Sequence, residues 1–69
     1  MEEFEIRDAE YIELHNLLKA TGLCSSGGAA KMVIAEGQVR VNGEVERRKR
    51  CKIRPRMIVE FEGHVIELR

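Results

Sequence analysis

Asn42-Gly43 sits between Val39-Arg40-Val41 and Glu44-Val45, and this pair restricts the fold more than any other feature. Asn-Gly readily places two consecutive residues at positive φ, as a two-residue type I′ turn requires. Val39 and Val41 alternate with Gln38 and Arg40, so the valines share one face and the polar residues the other. The centre of the chain is therefore predicted to be a tight β-hairpin with one apolar side.

The run Arg47-Arg48-Lys49-Arg50 follows the hairpin, and Lys52, Arg54 and Arg56 come soon after. Net charge over all 69 residues is zero, but it is unevenly spread. Residues 31–56 hold nine Lys/Arg against three Glu, a net +6, whereas residues 1–30 carry −4 and residues 57–69 carry −2. A basic centre in a neutral chain suits a polyanion better than it suits indiscriminate adhesion. Most of these cations are arginines, whose guanidinium forks onto phosphate oxygens and stacks on bases. The hairpin is expected to gather Lys31 and Arg40 with the run on one side.

Local patterns fill in the remainder. Phe4-Glu5-Ile6 alternates as a short strand, and Asp8 can cap the helix after it. That helix is predicted over about residues 10–20, with Tyr11, Leu14, Leu17 and Leu18 as its apolar stripe. Glu10 and Glu13 lie near its start and Lys19 near its end, where the helix dipole favours them, and Gly22 stops it. Leu23-Cys24-Ser25-Ser26 leads into a second helix capped by Ser25 or Ser26, with Ala30, Val33 and Ile34 inward and Gly37 at its end. Gly27 and Gly28 leave the first-turn amides open, a natural place for a phosphate, to which Ser25 and Ser26 could add hydrogen bonds. Further on, Cys51 and Ile53 alternate with outward-pointing Lys52 and Arg54, and Pro55 introduces a turn. Ile58, Val59 and Phe61 form a strand, Glu62-Gly63 a second tight turn, and Val65, Ile66 and Leu68 a last strand. The order β-α-α-β-β-β-β predicts an α+β fold with mostly antiparallel pairing and both helices on one sheet face.

Several function classes lack support. A chain of this length is expected to form one domain, residues 1–69, with a small core and little room for a deep pocket. The acidic start Met1-Glu2-Glu3 differs from a secretory signal, and the longest apolar run, Met32 to Ala35, is far short of a membrane span. A cytoplasmic protein without membrane contact is expected. Cys24 and Cys51 lack zinc-ligand spacing and are expected to be reduced and packed. Ser26-Gly27-Gly28 does not match a P-loop. His15 and His64 have no neighbours that suggest a triad or a metal cluster. No catalytic residue, metal or cofactor is expected. Phe4, Tyr11 and Phe61 fall on apolar stripes and are expected in the core, which leaves charge, shape and backbone contacts to govern binding. A rival reading is a protein-interaction adaptor, in which the acidic first helix and the basic hairpin each dock a partner on a ribosome or an RNA enzyme.

The stretch from Leu14 to Val59 resembles the RNA-binding domain named after ribosomal small-subunit protein S4, also called the αL motif. The resemblance is carried by Leu14, Leu17 and Leu18, by Ala30 and Ile34, and by Gly37-Gln38-Val39-Arg40-Val41-Asn42-Gly43. Lys52-Ile53-Arg54-Pro55 and Ile58-Val59 continue it in register. The resemblance implies a two-helix αL motif packed on a small, mostly antiparallel sheet of four to five short strands. It also implies RNA binding through the second helix and the hairpin, often to folded ribosomal or transfer RNA, and it does not imply catalysis. A non-enzymatic monomer associated with ribosomes or other ribonucleoproteins is expected. The basic residues give the expected contacts: Lys31, Arg40, Arg47, Arg48, Lys49, Arg50 and Lys52, with Ser25 and Ser26 at the helix start. Two positions depart from the family pattern. Ser26-Gly27 stands where the family often has Ser-Arg, and Arg56-Met57 where it commonly has Gly-Asp. The chain looks closest to the small, stand-alone bacterial proteins of this type, with contacts shifted from the helix start toward the 47–52 segment.

Overall fold

The computed structural model describes residues 1–7 and 9–69. Asp8, expected as a cap, lies outside the described residues. Strand β1 (Glu2–Phe4) is followed by β2 (Ile12–Glu13), α1 (Leu14–Ala20) and α2 (Gly27–Ala35). Then come β3 (Val39–Val41), β4 (Glu44–Val45), β5 (Lys52–Ile53), β6 (Ile58–Phe61) and β7 (His64–Leu68).

The hairpins form where the turn residues demand them. Asn42 and Gly43 have φ of 51° and 84°, and Glu62 and Gly63 have 49° and 79°. Each pair links two antiparallel strands through a two-residue turn, β3 to β4 and β6 to β7. Asn42 also ties its hairpin to β6: its amide donates to the Ile58 carbonyl at 2.7 Å, and its Oδ1 accepts from the Ile58 amide at 2.9 Å. β3 pairs antiparallel with β6, and β1 runs parallel to β7. The five-stranded sheet thus has the order β1-β7-β6-β3-β4. The expected architecture, two helices on a small, mostly antiparallel sheet, is the one observed.

The two helices cover one face of this sheet. Leu14, Leu17 and Leu18 of α1 and Ala30 and Ile34 of α2 pack with Val39, Val41, Val59, Phe61, Ile66 and Leu68 in one buried cluster. Ser26 caps α2, its Oγ accepting from the Ala29 amide at 3.1 Å. Gly22 and Gly37 come just after the two helix ends at φ 78°, the left-handed conformation that terminates helices with little strain when the residue is glycine.

The first helix is shorter than its apolar spacing predicts. Ile12 and Glu13 form a two-residue antiparallel ladder with Ile53 and Lys52 of β5, and α1 begins only at Leu14. An extended backbone reverses the facing of neighbouring residues. Ile12 packs against the core, and Tyr11 is turned out to 36% exposure. Neither Glu10 nor Glu13 lies in the first helical turn, because Glu13 is the N-cap residue and contributes no side-chain cap. The helix start is held by the basic loop instead. The Leu14 amide donates to the Cys51 carbonyl at 2.9 Å and the His15 amide to the Lys49 carbonyl at 3.0 Å.

Candidate nucleic-acid interface

Residues 46–50 leave the sheet after β4 and run back to the start of α1. The loop is held at several points: the Glu46 amide bonds to the Val39 carbonyl, the Cys51 amide to the Arg48 carbonyl, and the Lys49 and Cys51 carbonyls receive the first amides of α1. Backbone hydrogen bonds thus fix the loop, and the side chains of Arg47, Lys49 and Arg50 are exposed.

Two open concavities flank this loop. One, of about 460 Å³, is lined by Lys31 and Ala35 of α2 with Arg47, Arg48, Lys49 and Arg50. The other, of about 590 Å³, is lined by Arg48, Arg50, Cys51, Lys52, Arg54 and Met57. Arg48 and Arg50 belong to both, so they form a cationic ridge between two cationic hollows. No carboxylate of the described residues pairs with Lys31, Arg47, Lys49 or Arg50. In a solvent-exposed setting such clustering of like charge is a standing attraction for anions.

Within the loop, Arg48 is paired with a carboxylate. Its Nε donates to Glu46 Oε2 at 2.9 Å and its Nη2 to Oε1 at 3.0 Å, a two-point fork. The Arg48 backbone amide adds a third bond to the same carboxylate at 3.0 Å. These hydrogen bonds hold the Glu46 carboxyl at about 2. Arg47 is placed differently. Its guanidinium lies across Gly37, where a β-carbon would stand 2.7 Å from Nη2 and 3.1 Å from Cζ. Glycine at 37 suits the left-handed helix end and leaves the present path of Arg47 open.

The structure brings most of the expected residues together, with one clear exception. Lys31, Arg47, Arg48, Lys49, Arg50 and Lys52 line the paired hollows. Arg40 does not. It stands opposite Glu60 in the β3–β6 ladder and lines a separate groove with Gln38, Glu60, Glu62 and His64. The reason is the strand period: Val39 and Val41 face the helices, so Arg40 faces the other way. That alternation was the available signal. Ser25 and Ser26 are exposed at the entry to α2, and Gly27, where the family often has arginine, has open space beside it. Arg54 is an addition to the expected set. It follows buried Ile53 on β5 and lines the larger hollow.

Tyr11 is the second addition. Lys52 Nζ lies 5.0 Å and Arg54 Cζ 5.5 Å from its ring centroid. Its expected place in the core followed from a helical reading of residues 10–13, and the β2–β5 ladder removes that premise.

The remaining reactive groups sit elsewhere or in poor settings for chemistry. His15 Nε2 lies 3.0 Å from Glu13 Oε1, and exposed His64 Nδ1 lies 2.7 Å from Glu2 Oε2. Cys24 and Cys51 are free thiols. Burial, aided by Glu62 for Cys24 and by Glu46 for Cys51, pushes both thiols up, so the nucleophilic thiolate is disfavoured in each. No helix among the described residues is long and apolar enough to cross a membrane.

Comparison with known proteins gives a consistent result. The chain is 47% identical over 68 residues to an Escherichia coli K12 protein named "Putative RNA-binding protein YbcJ", a match covering 99% of this chain and 97% of that one. It is 39% identical over 56 residues to a Bacillus subtilis protein named "Probable ribosome maturation protein RlbA", covering 81% and 79% of the two chains. The solution structure of the E. coli protein, described as revealing an αL motif involved in RNA binding, superposes with a TM-score of 0.75 over 99% of this chain and 86% of that one. The S4 domain model matches residues 4–69. With nearly its whole length matched, and with the helix pair, hairpin and sheet in place, the chain belongs to the S4 domain family.

Proposed function

We propose that this protein is a non-enzymatic RNA-binding module, a single domain that works as a monomer in the cytoplasm. It grips structured RNA through Lys31 of α2 and the loop cations Arg47, Arg48, Lys49, Arg50 and Lys52, with Ser25 and Ser26 donating hydrogen bonds at the α2 start. The observation that carries this reading is the cationic ridge, Arg48 and Arg50, shared by two hollows that are walled by further cations. An RNA backbone crossing the ridge would place successive phosphates in the two hollows. Ribosomal RNA is the favoured target, in line with the ribosome maturation name of the B. subtilis relative and the RNA-binding name of the E. coli relative.

Arg40 contributes less than the loop, because it shares its groove with Glu60 and Glu62. The open space beside Gly27 supports a shift of contacts from the helix start to the loop. Crosslinking in cells, with sequencing of the bound RNA, tests the proposal. Enrichment of ribosomal or transfer RNA is expected. Recovery of protein partners without RNA above background would favour the adaptor reading instead.

A further inference from the structure

Tyr11 is the single tyrosine of a chain that contains no tryptophan. It is exposed, and two of the cations that line the larger hollow, Lys52 and Arg54, stand over its ring. The backbone that presents it is firmly placed, because Ile12 and Glu13 are hydrogen-bonded in the ladder with Ile53 and Lys52. Burying this ring is not what stabilises the fold; Ile12, its neighbour, is the residue that packs on the core.

We infer that Tyr11, Lys52 and Arg54 form a nucleotide-binding element in which an unpaired base of the bound RNA stacks on the Tyr11 ring while its flanking phosphates meet the two cations. The inference rests on the RNA-binding reading and adds a ligand class to it: an unpaired nucleotide in a loop, bulge or single strand. Cations alone hold any RNA backbone, paired or not. An exposed ring among them discriminates, since bases inside an A-form duplex are already stacked and cannot reach it, whereas an unstacked base can. Lys52 and Arg54 also polarise the ring toward themselves, and the guanidinium plane of Arg54 offers a second flat surface beside it.

The sole tyrosine supplies the test. Wild-type protein is titrated with a single-stranded oligoadenylate and with a blunt RNA duplex of equal phosphate number, each carrying a terminal dye so that binding is read independently by anisotropy. Oligoadenylate is expected to quench tyrosine emission as it binds, and the duplex to bind without quenching. Tyr11→Phe should keep its affinity for oligoadenylate. Tyr11→Leu should bind it about tenfold more weakly, as expected for loss of one stacked base, with duplex affinity little changed. Bound oligoadenylate that leaves tyrosine emission unaltered overturns the inference. So does an equal loss of duplex and oligoadenylate affinity in Tyr11→Leu, which would mean that the ring only positions Lys52 and Arg54. Failure of wild type to bind either RNA would instead overturn the parent reading, an outcome the anisotropy signal separates from the other two.

Discussion

The His15 amide donates a hydrogen bond to the Lys49 carbonyl at 3.0 Å, so the N-terminus of α1 and the most basic loop of the chain share one anchor. The helix gains a cap that no side chain of its own supplies. The loop gains a fixed backbone, which would lower the ordering cost of the polyanion contact proposed for it.

Because that anchor is made by backbone atoms, loop charges can be reversed without unfolding the protein. We predict that Arg47→Glu combined with Arg50→Glu keeps the wild-type thermal midpoint within a few degrees and abolishes most RNA affinity. If about six phosphates are engaged in the wild type, log K should fall with log salt at a slope of roughly −4 to −5. A salt titration of both proteins checks this, and a nearly flat wild-type slope would sink the phosphate-grip model.

Gly37 has φ 78° and lies under the Arg47 guanidinium. Gly37→Ala should cost about 1–2 kcal/mol from the left-handed backbone alone. It should also push Arg47 off its path, since the new methyl would sit 2.7 Å from Nη2. RNA affinity should stay above that of Arg47→Ala, because the displaced guanidinium is the far end of a flexible side chain and keeps its charge. Urea denaturation and RNA titration of the two variants side by side decide it, and an affinity in Gly37→Ala as low as that of Arg47→Ala would show that Arg47 has no other useful path.

Glu46 titrates at about 2 in the fold, below an ordinary value of 4.5, through its hydrogen bonds from Arg48. A lowered carboxylate stabilises the folded state fully above pH about 4.5, and that contribution is lost as the pH falls toward about 2. Arg48 is largely in solvent, so screening leaves the pair only a small contribution. Glu46→Gln is predicted to be slightly less stable than wild type at neutral pH and to converge with it in acid. Urea midpoints measured across that range test the sign; a gap that widens in acid would contradict it.

Arg54-Pro55-Arg56-Met57 closes with a Met57 amide to Arg54 carbonyl bond at 3.1 Å, and Arg56 adopts φ 77°. Proline with a positive φ at the next residue is the pattern of a type II turn, whose third residue favours glycine. Arg56→Gly should stabilise the fold by about 1 kcal/mol through relief of the left-handed strain. A lower thermal midpoint for this variant would mean that the arginine side chain contributes more than its backbone costs.

Asn42 joins its hairpin to β6 through two hydrogen bonds with Ile58 while holding φ 51°. Asn42→Ala loses the side-chain bond and meets the left-handed penalty, about 2 kcal/mol together. Asn42→Gly keeps the turn and loses only the bond, about 1 kcal/mol. Urea denaturation should rank wild type above Asn42→Gly above Asn42→Ala; equal stability of all three would deny Asn42 a structural role.

Features set by near neighbours were legible in the sequence. Both two-residue turns, the Ser26 cap, the glycine stops after each helix and the inward valines of β3 depend on φ preference, side-chain reach and strand period, all confined to a few residues. The clustering of the basic run with Lys31 was legible too, because both lie on segments adjoining the hairpin. What only the tertiary structure decided were pairings between segments distant along the chain. The parallel seat of β1 against β7, the β2–β5 ladder and the capping of α1 by loop carbonyls each satisfy a backbone group with a partner that no local pattern marks. Those pairings moved the start of α1 to Leu14 and turned Tyr11 from core to surface. They also fixed the loop whose arginines the sequence displayed from the outset. Residues 10–13 carried a helical apolar spacing, but the free energy of pairing Ile12 and Glu13 with β5 and burying Ile12 outweighed a propensity that varies by well under about 1 kcal/mol per residue.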